Sequence, residues 1–226
     1  MTTISQHFPN AELPIPISSN GKQMVTAFGF ALAIVGALIL TRSDSGGMPL
    51  PFLEWTGAFL LAVITTDLHD RRIPNWVTFP ALVTALILAW DAGGSVMLRD
   101  AALGMGAIFL ILFPAFAARA IGAGDVKALM VLGALWGPAY IIPALPYMAG
   151  AGALLAFARV TVHGELLEML SRWFSSLKLS LLNRSICYVR PEAGTAAASG
   201  IPFAVAMGLG AVAFQSTLGA GGQFAW

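Results

Sequence analysis

The sequence predicts an all-α protein, a polytopic membrane helix bundle with six or seven transmembrane helices and one cytoplasmic amphipathic helix. Of its 226 residues, 58% are apolar and only 10% are charged, whereas a soluble domain has about 45–50% apolar and about 25% charged residues. The apolar residues also fall into runs close to the roughly 20 residues that a spanning helix needs. This composition excludes an ordinary soluble enzyme, a disordered chain and a coiled coil.

The predicted spans are apolar runs bounded by polar segments or by a Gly-Pro pair. They cover residues 23–41, 50–67, 76–92, 101–118, 126–137, 139–159 and 200–217. A polar stretch, GGSVMLRD, is expected to separate the third run from the fourth. The segment 126–137 is short for a span, so we count seven spans with six as the alternative.

The chain divides into four predicted regions. These are a cytoplasmic tail over 1–22, an extra transmembrane helix and loop over 23–49, the main membrane-embedded domain over 50–217, and a C-terminal tail over 218–226. Within the polar segment 160–199, residues 164–184 repeat leucines and aromatics every three to four positions with charges between them. This pattern predicts an amphipathic helix on the inner membrane surface; a solvated linker helix is the alternative.

The basic residues orient the predicted bundle. With the N-terminus inside, only Arg42 and Arg99 of the 12 Lys and Arg residues fall on the outer side, as the positive-inside rule requires. Tryptophans lie near predicted span ends, as in an interfacial belt; they are Trp55, Trp76, Trp90, Trp136 and Trp226. The loops LHDRRIPN and RAIGAGDVK are therefore expected to face the cytoplasm.

Several binding functions have little support in the composition. The net charge of +1 gives no electrostatic case for nucleic acid. One cysteine rules out a zinc site of paired cysteines, and the three histidines are scattered. We therefore expect no metal and no cofactor.

Two acids stand out because they lie where ionisable groups are costly. Asp67 and Asp125 fall at the inner ends of predicted spans, where such a group usually has a function or a partner. Glu54 lies near the outer end of its span and is expected to be interfacial. The topology returns Asp67 and Asp125 to the same depth, so they can share a proton, with the pKa of one raised and that of the other low. Such a pair supplies a base to activate water and an acid to protonate a scissile carbonyl.

The residues around each acid add to this hypothesis. Gly122 and Gly124 precede Asp125 and allow close backbone approach or positive φ; a tight turn with a capping Asp is the alternative. Asp67 is followed by two arginines and by Ile-Pro-Asn, in which Pro74 can open the next helix. Asp70 fits a solvated charge in a loop.

Together these two stretches resemble the type IV prepilin leader peptidases, which are GxGD-type aspartyl peptidases of the membrane. Asp67 matches the family's first motif, an Asp followed seven residues later by Pro74 and then by Asn75. The second motif, GxGD followed by a basic residue, is matched by Gly122, Gly124, Asp125 and Lys127. The segment 200–208 (GIPFAVAMG) is similar to the family's last span.

The resemblance implies an aspartic endopeptidase, with residues 50–217 as its peptidase domain and Asp67 and Asp125 as its catalytic pair. It also implies substrate-binding or supporting roles for Gly122, Gly124, Lys127, Pro74 and Asn75. The expected substrate is a prepilin or pseudopilin precursor, cut between its basic leader and its hydrophobic helix at the cytoplasmic face of the bacterial inner membrane. Membrane lipid and pilus assembly machinery are expected partners.

The chain lacks the paired CxxC motifs of the larger members that also methylate the new N-terminus. It is therefore similar to the short, peptidase-only members of the Flp or tight-adherence type, without N-methyltransferase activity. The main competing hypothesis is a proton-coupled transporter that uses the paired aspartates. Two further candidates are a presenilin-like peptidase and a non-catalytic scaffold packed through Gly133 and Gly137.

Overall fold

The computed structural model describes residues 50–183 and 202–219, and in these residues all regular structure is helical. The helices are α1 (Leu50–Asp70), α2 (Asn75–Ala117), α3 (Ala123–Val162), α4 (Leu166–Asn183) and α5 (Phe203–Gly219). The predicted all-α class is thus confirmed. The predicted tail and span before residue 50, the connector before α5 and the end of the chain lie outside the described residues.

Two helices, α2 and α3, are long and apolar enough to cross a membrane. Each is interrupted once by glycine. Gly93 and Gly94 leave the helical region, with φ +60° at Gly94, and Gly137 has φ +69°, a conformation that glycine adopts at no steric cost. The interruptions divide α2 and α3 into two helical halves each.

The contacts between helices give the direction of each half. Asn75 meets Lys127 and Thr78 lies near Val131, so the first half of α2 runs parallel to the first half of α3. In the second half of α2, Gly104 lies near Gly137 and the later Ile108 lies near the earlier Gly133. This half therefore runs antiparallel to the first half of α3. The two halves of α2 are therefore antiparallel, and the break at Gly93 and Gly94 is the turn of a helical hairpin.

Small residues allow this packing to be close. A Cβ atom added to Gly104 would lie 2.1 Å from the carbonyl oxygen of Gly133, and one added to Gly133 would lie 2.6 Å from that of Gly104. No larger residue fits without separating the helices. Gly133 therefore has a packing role, as the scaffold hypothesis proposed for it, and this role is compatible with a catalytic site elsewhere.

The centre of the bundle contains a hydrogen bond that is surrounded by aromatic and apolar side chains. The buried indole of Trp136 donates a 2.8 Å hydrogen bond to the hydroxyl of Thr56 and stacks on the ring of Phe214. The prediction that Trp136 belongs to an interfacial belt is therefore wrong, because its indole is buried in the core between α1 and α5. Trp55, Trp76 and Trp90 are exposed.

The structure also corrects two helix boundaries. The stretch GGSVMLRD is helical except at Gly93 and Gly94; its polar residues lie on a helix surface, since nothing after Gly94 stops a helix. The last helix covers Phe203–Gly219 rather than 200–217, because Pro202 precedes its first turn. A helix fills most of 164–184, where an amphipathic helix was predicted.

Candidate active site

The antiparallel helices bring three widely separated segments to one end of the bundle, which we call the near end. They are the α1–α2 turn, the start of α3 and the start of α5. A cavity of about 540 Å³ opens between them. It is lined by Asp67, Arg71, Arg72, Ile73, Asn75, Gly122, Ala123, Gly124, Asp125, Lys127 and Phe203.

Asp67 and Asp125 both line this cavity, as the sequence predicted. They are near enough for the charge of Asp67 to act on Asp125. Asp67 is only 7% exposed. Asp70, three residues later, has a side chain that is 64% exposed and lies 2.6 Å from the His69 ring nitrogen. The predicted solvated charge at Asp70 is confirmed, although Asp70 is the last residue of α1 and not part of a loop.

The Asp67 carboxylate is held by a residue that sequence reasoning missed. The backbone N–H of Ala204, in the first turn of α5, donates a 3.1 Å hydrogen bond to Asp67 Oδ2. The Arg71 guanidinium also attracts this carboxylate. Burial disfavours the charged form of this carboxylate, and these two interactions act against that cost, because an N–H donor at a helix N-terminus and a cation each stabilise negative charge. The side chain of Ala204 gives no sign of this role, and only Pro202 indicates that a helix begins there.

Asp125 lies in the first turn of α3. Its carboxylate accepts a hydrogen bond from the backbone N–H of Gly122, the N-cap residue, as the acid of a capping box does. The alternative of a capping Asp holds only in part, because the N-cap itself is Gly122 and Asp125 caps from the third helical position. It does not compete with a catalytic role, because the same carboxylate lines the cavity.

The two glycines of the GxGD motif act through close approach. Neither has positive φ, so close approach is the one of the two possibilities that the structure shows. A Cβ atom on Gly124 would lie 3.2 Å from Ile73 Cβ, and one on Gly122 would lie 3.1 Å from Asp125 Oδ2. The α1–α2 turn can therefore pack against the start of α3 and bring the two acids to one cavity.

Two of the predicted supporting residues, Lys127 and Asn75, contact each other. The Lys127 ammonium donates a 2.8 Å hydrogen bond to the Asn75 side-chain oxygen, which links the first turns of α2 and α3. Pro74 is the N-cap of α2 and accepts from the backbone N–H of Val77. Pro74 is not among the residues that line the cavity.

Arg71 adopts a strained backbone conformation. Its φ is +54°, in the left-handed region that costs most residues about 1–2 kcal/mol. Its N–H bonds to the carbonyl of Asp67 and so closes the C-terminus of α1. Glycine is the usual residue at such a position, and the arginine here puts a guanidinium into the cavity.

Comparison with known families agrees with this geometry. The model of the type IV leader peptidase family matches residues 55–158, a stretch that contains both acids. The match covers a little less than half of the chain, and this stretch is similar to the type IV leader peptidase family. The resemblance found in the sequence is confirmed. Searches of curated proteins and of solved structures gave no significant match to this chain.

The family match has coarse consequences for activity, substrate and location. It supports a peptidase that acts on prepilin-type precursors, and a membrane protein. It does not favour the transporter hypothesis. The start of α5, which supplies the N–H to Asp67, lies outside the matched residues.

Proposed function

We propose that this protein is a prepilin leader peptidase that uses Asp67 and Asp125 as its catalytic pair. The observation that carries the proposal is that both carboxylates line one cavity within a leader peptidase domain. The substrate is a prepilin or pseudopilin precursor. The bond that is hydrolysed joins the basic leader to the hydrophobic helix.

The surroundings of the two acids suggest their roles. Asp67 is the base, because the Ala204 N–H and the Arg71 cation both stabilise its charge. Asp125 carries the proton, since the negative charge of Asp67 acts on it and two close carboxylates do not readily ionise together. The two acids titrate as a coupled pair.

The proposed hydrolysis has two steps, the addition of water to the carbonyl carbon and the cleavage of the C–N bond. Asp67 takes a proton from water as the oxygen attacks the scissile carbonyl carbon, and Asp125 gives its proton to the carbonyl oxygen. Asp67 then protonates the leaving nitrogen as the C–N bond breaks, and the intermediate returns a proton to Asp125. Both acids regain their starting states, as general acid–base catalysis requires.

The proposed location is the bacterial inner membrane, with the near end at the cytoplasmic face. The halves of α2 and α3 each cross, and with α1 and α5 they make six crossings. The segment 23–41 would add a seventh. Helix α4 lies on the inner surface. The lack of paired CxxC motifs supports a peptidase-only enzyme of the Flp type without methyltransferase activity.

Co-expression with a type IV-like prepilin tests the proposal. Asp67→Asn and Asp125→Asn should each abolish the gel shift that reports leader removal. Asp70→Asn is the matched control, because Asp70 is an exposed acid on the same helix, and it should process normally. Processing by both of the first two variants, at equal membrane levels, would contradict the assignment, and failure of the wild type to cut any prepilin would contradict the function.

A further inference from the structure

A second hollow adjoins the catalytic cavity. It is a groove of about 310 Å³ between the first turns of α2 and α3. Its lining residues are Asn75, Thr78, Phe79, Leu82, Lys127, Met130 and Val131. Asn75 and Lys127 also line the catalytic cavity. The two spaces therefore meet at the 2.8 Å hydrogen bond between Asn75 and Lys127.

The groove has a buried floor and more accessible sides. Thr78 and Val131 form the floor and are almost fully buried, whereas Phe79 at the side is 68% exposed. From Asn75 to Leu82 the groove follows seven residues of helix, which is about 10 Å at 1.5 Å per residue. This length matches about two turns of a bound helix.

The catalytic cavity and the groove differ in the charge of their lining residues. The catalytic cavity contains two carboxylates and three cations. Among the described residues that line the groove, only Lys127 is charged. A ligand that occupies both spaces must therefore be polar in one part and apolar in the next, and its change of character must fall at the Asn75–Lys127 hydrogen bond.

We propose that this groove binds the apolar helix of the substrate directly after the scissile bond. This inference rests on the proposed function and adds the surface that recognises the substrate. With a peptide bond at Asp67 and Asp125, the next residues pass Asn75 and Lys127, and about two turns of the apolar helix then lie between Leu82 and Met130. The recognised chemistry is a polar segment joined without a spacer to an apolar helix.

Disulfide cross-linking tests which surface the substrate contacts. The only native cysteine is replaced by Cys187→Ser, and Asp125→Asn keeps the precursor uncut. Leu82→Cys should cross-link to single cysteines placed four to eight residues after the scissile bond, with a helical periodicity. The matched control, Leu154→Cys, lies on an exposed apolar surface of α3 away from the groove and should not cross-link. Equal cross-linking at both positions, or none at Leu82, would show that the groove contacts only lipid.

Filling the groove tests the same surface by kinetics. In the active enzyme, Leu82→Trp should raise KM for the full precursor at least tenfold while kcat changes less than threefold, because the reacting groups are untouched. Leu154→Trp should change neither constant. Unchanged KM in Leu82→Trp would overturn the groove assignment while leaving the peptidase intact. A wild type that does not cut the precursor would instead overturn the proposed function.

Discussion

Replacing Ala204 with proline removes the backbone donor that bonds to the Asp67 carboxylate. The donor is the N–H at 3.1 Å from Oδ2, and proline has none. Residue 204 lies in the first turn of α5, where a missing N–H breaks no bond within the helix. The substitution therefore acts on Asp67 with little direct effect on the helix.

The magnitude follows from the type of hydrogen bond. A bond to a charged acceptor contributes about 1.5–3 kcal/mol, and one pH unit corresponds to about 1.36 kcal/mol. Without the donor, the ionised form of Asp67 is less stable, so a higher pH is needed to form the base. The acidic limb of the activity profile should move up by about 1–2 pH units, while activity on the alkaline side of that limb is largely kept.

The assay is prepilin cleavage by purified enzyme in detergent across the pH range. Val205→Pro is the matched control, because its N–H bonds to the Pro202 carbonyl and not to Asp67. Ala204 is completely buried, so a second form replaces only its amide by an ester and avoids the added ring. An unshifted acidic limb in the ester form would refute the role of α5 as a donor to Asp67.

The strained arginine and the motif glycine give two further predictions. Arg71→Gly should stabilise the fold by about 1 kcal/mol, because glycine adopts the left-handed conformation without strain, and it should lower activity because the cation is lost. Arg119 also has positive φ but lies outside the cavity, so Arg119→Gly should stabilise the fold without loss of activity. Thermal unfolding measures the stability of both variants, and a cleavage assay measures their activity. A loss of stability in Arg71→Gly would contradict the strain argument. Gly124→Ala should lower cleavage at least tenfold, because its Cβ would push on Ile73, whereas Gly106→Ala meets open space and should cleave normally; full activity in Gly124→Ala would mean that the turn can move without separating the acids.

The candidate site was predictable where side chains carry the chemistry. Asp67 and Asp125 could be paired from the sequence because alternating spans return to the same side, and the glycines marked the start of α3. The roles of Arg71 and Ala204 could not be predicted. The role of Arg71 depends on a left-handed turn, which its side chain does not indicate. The role of Ala204 depends on a backbone N–H, and the sequence does not show that this N–H will meet a carboxylate 137 residues away.

The all-α class of the fold could be predicted from the sequence, whereas the points at which the helices are interrupted were harder to predict. The polarity of GGSVMLRD predicts a separator between two spans, although only its two glycines interrupt the helix. The Gly-Pro break beside Trp136 predicts a span end and so a place at the membrane surface, yet the buried indole bonds to Thr56 in the core. Hydropathy reports where a segment can lie, whereas the direction of one side chain depends on how the neighbouring helices pack.

The proposed catalytic pair and the donor to Asp67 lie on three separate helices, which has a consequence for the proposed mechanism. Asp67 lies in the last turn of α1, Asp125 in the first turn of α3, and the donor to Asp67 in the first turn of α5. A shift of α5 along α1 would break the hydrogen bond from the Ala204 N–H to Asp67 without moving either acid. The ionised form of Asp67 would then be less stable. Close packing limits such a shift, since a Cβ atom on Gly210 of α5 would lie 2.3 Å from the backbone of Met148 in α3. The packing far from the cavity therefore helps to keep the Ala204 N–H on the Asp67 carboxylate.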